Sequence, residues 1–213
     1  MQKRALIGLA AGAIAAFTSC APATRLTSSW SDPTQAGHTY QTVAIVGVTP
    51  RTTIRRQYET MFAADLQKRG IKAVASFSVL GEGQVQQEEA VEKFKQSGVD
   101  GVIVTRLVDQ ETYNTYYPPT YSTAYVPSAY YGGWYGYYSM GYTYETSPGY
   151  TVENKVFRLE SNLYNLTSGK LAWSGLTETT LMSGDAPDRE IQPVIDELIA
   201  GMEKAKVLTP KKK

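Results

Sequence analysis

The chain has 213 residues, with 21 Lys and Arg against 20 Asp and Glu, a single histidine (His38) and a single cysteine (Cys20). This near-neutral balance argues against nucleic acid as a main partner, because phosphate binding requires a basic face. One His and one Cys exclude zinc clusters built from those residues, and any Ser-His or Cys-His triad would need His38, which no nucleophile motif such as Gly-x-Ser-x-Gly accompanies.

Lys3 and Arg4 precede an uncharged run of apolar or small residues from Ala5 to Phe17, followed by Thr18-Ser19-Cys20. A charged start, an apolar run and small residues before a cut site make a secretory signal over residues 1–19. The run falls short of the roughly 20 residues that cross a bilayer. Small residues leading directly into cysteine resemble the lipobox of bacterial lipoproteins, with Phe17 departing from the usual Leu. The resemblance implies a diacylglyceryl group on Cys20, cleavage before it, acylation of the new amino terminus, and attachment to the membrane through this lipid. Lipidation consumes the only thiol, which in an exported chain would otherwise be free or bridge two molecules. A plain secretory signal with an incidental cysteine is the bland alternative. Ala21, where enterobacterial lipoproteins retained at the inner membrane carry Asp, points to the outer membrane and the periplasm. Loss of residues 1–19 removes Lys3 and Arg4, leaving 19 basic and 20 acidic side chains.

Residues 20–40, rich in Ser, Thr, Pro and Ala, read as the lipidated start of a tether. Twenty residues extend at most about 65–70 Å, so the folded part could stand well off the membrane. Trp30 interrupts this polar run, and a short edge strand or a plug against the domain accounts for it better than free exposure. An α/β domain over residues 41–208 follows. Thr42–Val48 is a compact apolar run typical of a buried strand, ended by Pro50. Ile54, Tyr58, Met61, Phe62 and Leu66 recur at helical spacing, with Arg55, Arg56, Gln57 and Lys68 on other faces and Gly70 as the stop. Ile71–Ala75 is a second strand. A second helix spans Val85–Gln96 with Ala90, Val91 and Phe94 inward, and Gly101–Val108 is a third strand. Alternating strands and helices imply parallel pairs with right-handed crossovers.

The second half changes style. Phe157, Leu159, Ser161 and Leu163 alternate with polar residues, and Thr167–Lys170 turns the chain into Leu171–Gly175 and on to about Thr180, a hairpin. Ile191, Val194, Ile195, Leu198, Ile199 and Met202 form a last amphipathic helix, whose start Pro193 should delay. Residues 209–213 are a basic tail, ending in Lys211-Lys212-Lys213, with a weak attraction to anionic lipid as its one functional reading. The expected fold is a single α/β domain with a mixed sheet, ordered βαβαβ, long loop, ββα.

Trp30-Ser31-Asp32-Pro33, Val43 to Val48, Gly98–Val102, and Leu163-Tyr164-Asn165 with Gly169–Ser174 are similar to a family of uncharacterised bacterial lipoproteins. In architecture that family resembles the lipoprotein activators of penicillin-binding proteins, the curli secretion lipoprotein and the N-terminal domain of TolB. Those proteins bind or assemble envelope components, so the resemblance implies an accessory role and supplies no catalytic residues.

The most unusual stretch is an insertion at about 109–150, which holds 13 of the 16 tyrosines together with Trp134. Pro118-Pro119, Pro127, Gly132-Gly133 and Pro148-Gly149 interrupt regular structure there. So long a connection in a compact domain is functional or disordered. Tyrosine presents a rigid ring and a hydroxyl at low entropic cost, which suits contact with proteins or sugars. Tyr116, Tyr117, Tyr130, Tyr131, Trp134, Tyr137 and Tyr138 are the candidate contact residues. A low-complexity loop stacked on its own domain and self-association through aromatic pairing are the competing readings; base stacking is set aside because residues 113–150 contain no Lys or Arg. Composition and motifs therefore point to a non-enzymatic, lipid-anchored envelope protein that binds or assembles with a protein or glycan and needs no cofactor or metal. A carboxylate-dependent hydrolase and a self-associating structural subunit are the alternatives; no pair of acids stands out by spacing.

Overall fold

A computed structural model describes residues 23–83, 85–118, 120–123, 144–147, 149–182 and 187–209. The strands are β1 (Thr24–Ser31), β2 (Val43–Val48), β3 (Ala73–Ala75), β4 (Gly101–Tyr117), β5 (Thr120–Thr123), β6 (Tyr144–Ser147), β7 (Tyr150–Asn165) and β8 (Leu171–Met182). The helices are α1 (Thr52–Lys68), α2 (Ser76–Leu80), α3 (Gln87–Gln96) and α4 (Ile191–Lys204), the last entered through a 3-10 turn at Pro187–Glu190. Six strands form one mixed sheet in the order β1-β8-β7-β4-β2-β3, and β5 pairs with β6 separately. The β2 pairs with β3 and β4 are parallel, as the strand-helix alternation requires; the other pairs are antiparallel.

Two apolar layers result. Alternate residues of the strands (Val43, Ile45, Ile103, Leu163, Trp173) pack under Tyr58, Phe62 and Leu66 of α1 and Val194, Ile195, Leu198, Ile199 and Met202 of α4. Burying a side chain of this kind is worth roughly 1.5–3 kcal/mol, so α4 alone is a large part of what holds the fold. On the other face Ala44, Val102 and Val99 meet Phe94 of α3, with Val79 and Leu80 of α2 alongside. Trp173 is fully buried and shapes its neighbours: a Cβ at Gly175 would fall 2.1 Å from its ring, and one at Gly201 of α4 would fall 3.0 Å from it.

Four differences from the sequence reading have local causes. Within the stretch read as a tether, Thr24–Ser31 is an edge strand, one of the two accounts offered for Trp30, and the sheet reaches back to residue 24. It is fixed by Leu26, whose Cδ2 lies 2.7 Å from where a Gly201 Cβ would be, by Leu26 N–H donating to Glu197 (3.1 Å), and by the Arg25–Glu178 ion pair (2.7 Å). The second strand is shorter than expected because Ile71 N–H still closes α1 on Leu66 C=O (2.9 Å), with Gly70 at φ 79°; the chain becomes a strand at Ala73, and α2 follows directly. α4 starts at Ile191 despite Pro193, since an N–H in the first helical turn has no helical acceptor to lose. The third strand, expected to end at Val108, runs to Tyr117 after a bulge between Leu107 and Asp109.

Candidate functional site

That extension builds the first feature. β4 and β7 stay paired from Gly101↔Asn165 to Tyr117↔Tyr150, whereas β2 leaves β4 at Arg106 and β8 leaves β7 at Asn154. Beyond Tyr113 the two strands are therefore a ribbon without sheet neighbours, about 13 Å long at 3.3 Å per residue. Its side chains include Tyr116 and Tyr150, 63% and 59% exposed, with Tyr113 and Tyr117 also exposed. Tyr117 stacks on Tyr150, with ring centroids 5.1 Å apart and planes 17° from parallel. Of the expected contact residues, Tyr116 and Tyr117 sit on this ribbon; Tyr130, Tyr131, Trp134, Tyr137, Tyr138 and the lipidation candidate Cys20 lie outside the described residues, as do Lys211–Lys213.

The second feature has no counterpart in the sequence pattern. An apolar cleft of about 200 Å³ opens where β2 ends beside the bulge of β4, between α1 and α4. Val48, Ile54, Leu107, Phe157, Leu159, Leu181, Ile191 and Val194 wall it. It is larger than the roughly 150 Å³ apolar cavity that takes a benzene ring. Among the described residues its one lining carboxylate, Glu190, accepts from Thr24 Oγ1 (3.2 Å), and Thr24 also shares a 2.9 Å bond with Thr179 on the cleft wall. Two facing acids, the arrangement carboxylate hydrolysis uses, are not among its described lining residues. Arg55 and Arg106, the lining cations, are engaged by Glu59 and Glu160.

Glu59 holds the cleft's back wall. It is fully buried on α1, and its Oε1 accepts from Gly47 N–H (2.9 Å), Arg55 Nε (3.0 Å) and Ser76 Oγ (2.8 Å), while Oε2 accepts from Phe77 N–H (3.1 Å) in the first turn of α2. Arg55 was expected on an outer face; it lies half-buried because it folds back onto Glu59 and Ser76. The donors occupy both carboxylate oxygens, so the group ties β2, α1 and α2 together rather than facing the cleft as a base. Beside it, Tyr58 donates to or accepts from Thr105 (2.7 Å), which in turn bonds Ser161 (2.7 Å); burial raises the Tyr58 hydroxyl pKa. His38 lies at the other end of the sheet, edge-on to Tyr40 at 4.6 Å and 3.4 Å from Asn165.

On the face that carries α3, the part formed by β1, β8 and β7 carries a chain of ion pairs. Arg158 binds Asp109, Glu111 (3.0 Å) and Glu178 (3.0 Å), and Glu178 also binds Arg25. The Arg25 and Arg158 guanidiniums hold the Glu178 carboxyl below its ordinary range, and Arg106 does the same for Glu160. These pairs are solvated and give the face a fixed register rather than a reactive centre. Among the described residues no group of His, Cys, Asp and Glu could hold a metal, and no helix is long and apolar enough to cross a membrane.

No protein family and no curated protein matches this chain. Among solved structures it is similar to the PelC dodecamer from Paraburkholderia phytofirmans, at 15% identity over 83% of this chain and 94% of that one, with a TM-score of 0.41. It is also similar to lipoprotein GNA1162 from Neisseria meningitidis, at 12% identity over 76% of this chain and 98% of that one, with a TM-score of 0.41.

Proposed function

We propose that this protein is a lipid-anchored component of the bacterial cell envelope, seated at the outer membrane, whose role is binding or assembly rather than chemistry. The observation that carries the reading is the β4–β7 ribbon: paired backbone holds exposed tyrosines beyond the edge of the sheet, a rigid display of amphipathic rings. The partner is an envelope protein, a glycan strand or a further copy of this chain. The supporting chemistry elsewhere is consistent, since Glu59 is saturated by donors and the cleft is apolar.

In-cell photocrosslinking from position 116 tests this. Crosslinked products identified by mass spectrometry should appear from 116 and be absent from position 168, in the turn at the far end of the β7–β8 hairpin. Identical products from both positions would end the ribbon's claim to be the contact surface. Fractionation of Cys20→Ser tests the anchor separately: the wild type should follow the membrane and the variant should not.

A further inference from the structure

We infer that the end of the domain carrying Met182 and the tyrosine ribbon rests against the lipid bilayer. The inference depends on the lipid-anchor reading of Cys20 and names the surface that the ribbon meets.

Strand register supplies the direction. Thr24, Thr179, Phe157 and Gln110 form one row across β1, β8, β7 and β4. From that row the ribbon leaves towards Tyr117 in the same direction as the chain leaves towards its N-terminus, because β1 is antiparallel to β8 and β7 is antiparallel to both β8 and β4. Contour length supplies the distance. Cys20 precedes Thr24 by four residues, which span at most about 13–14 Å. Tyr117 lies seven residues past Gln110, about 23 Å along the strand. A lipid on Cys20 thus cannot lie far from the level of the ribbon, and a domain held 65–70 Å away on a long tether is ruled out by β1.

Composition at this end fits a lipid surface. Met182 is exposed there together with Tyr113, Tyr116, Tyr117 and Tyr150. Residues 112–118 and 149–152 of the ribbon carry no charged side chain. Tyrosine is enriched where water meets hydrocarbon because its ring is apolar and its hydroxyl is not. Apart from Trp30, exposed on β1, the opposite end is polar: the Asp100 carboxylate accepts from Gln41 and Thr42 N–H, and Asn165 Oδ1 accepts from Thr167 and Ser168 N–H. A protein or glycan captured by the ribbon is then one that itself sits at the bilayer.

Full-length lipidated protein reconstituted in phosphatidylethanolamine–phosphatidylglycerol vesicles tests the orientation. With the Cys20 thiol consumed, a fluorophore can be placed at Met182→Cys, Tyr116→Cys or Lys170→Cys; position 170 is exposed and about 35–40 Å from 182 along β8. A nitroxide on the lipid headgroup quenches on near contact. Positions 182 and 116 should lose most of their emission, and 170 should keep it. Vesicle-bound protein with equal emission at all three sites, or with loss at 170 alone, overturns the inference while leaving the anchor intact. Shielding of 116 from aqueous iodide without nitroxide quenching would mean that a second copy covers the ribbon, and also overturns it. Protein that fails to float with the vesicles refutes the anchor, and the inference with it.

Discussion

Replacing Glu59 tests whether one buried carboxylate organises the cleft end of the fold. Glu59→Ala removes the acceptor for Gly47 N–H, Arg55 Nε, Ser76 Oγ and Phe77 N–H at once. Breaking a buried ion pair costs about 3–5 kcal/mol, because the remaining charge is stranded. Arg55 retains 16% side-chain exposure and can turn partly towards water, which places the loss at the lower end, about 3 kcal/mol. Glu59→Gln keeps the shape and one acceptor oxygen but turns an NH2 group towards donors, so about 2 kcal/mol is expected. Arg55→Met combined with Glu59→Met should recover part of the loss, since no charge then remains buried without a partner. Urea unfolding followed by far-UV circular dichroism reads all three. At a slope of roughly 1–3 kcal/mol per molar, the alanine midpoint should fall by about 1 M or more. An alanine variant within about 1 kcal/mol of the wild type, at unchanged slope, would refute the claim that this carboxylate ties β2, α1 and α2 together.

Gly175→Ala should cost about 1–3 kcal/mol by overpacking, because its Cβ would fall 2.1 Å from the ring of fully buried Trp173; a thermal midpoint equal to wild type would show that the indole has room to move. Stability should decline in acid partly through Glu178: its folded pKa is depressed by Arg25 and Arg158, so its contribution is present above the ordinary value near 4.5 and is lost as pH falls through the lower folded value. Glu178→Gln should flatten the urea midpoint between about pH 5 and pH 2, modestly because Arg25 is well exposed; identical slopes would show that the pair is worth nothing.

The parts legible in the sequence are those whose burial leaves a period. Val43–Val48, the 58-62-66 stripe of α1, the alternation of β7 and the 191–202 face of α4 all appear where periodicity places them, and together they give the mixed α/β sheet. Edge strand β1 was harder to read because only Leu26 and Thr24 face inward across its polar length; Trp30 was the surviving signal, and it lies half out of the sheet at 52% exposure. The ribbon was hidden for a related reason. A two-stranded segment with both faces in water needs no apolar alternation, so Thr112–Tyr117 reads as loop although it is paired throughout. The cleft could not be read at all, since Val48, Leu107, Leu181 and Val194 come from four elements and meet only through topology.

β1 changes the functional argument more than any other element. A chain of twenty free residues after Cys20 would let the domain turn in any direction, and a contact surface could then face anything in reach. With Thr24 bonded to Thr179 and Glu190, and Leu26 wedged beside Gly201, at most four residues separate the anchor position from a rigid sheet. The sheet's two ends differ in kind. Polar side chains saturate the backbone at the Asp100 and Asn165 end, whereas the end towards which β1 points its N-terminus leaves Met182 and the tyrosines in contact with solvent. A protein gains nothing by exposing large apolar groups on the side nearest its anchor unless something there covers them. Loosening β1 therefore discriminates between the two geometries. Leu26→Ser should detach the strand, lengthen the free reach and reduce nitroxide quenching at position 182 while the protein stays on the vesicle; undiminished quenching would show that the apolar end finds the bilayer without β1 to aim it.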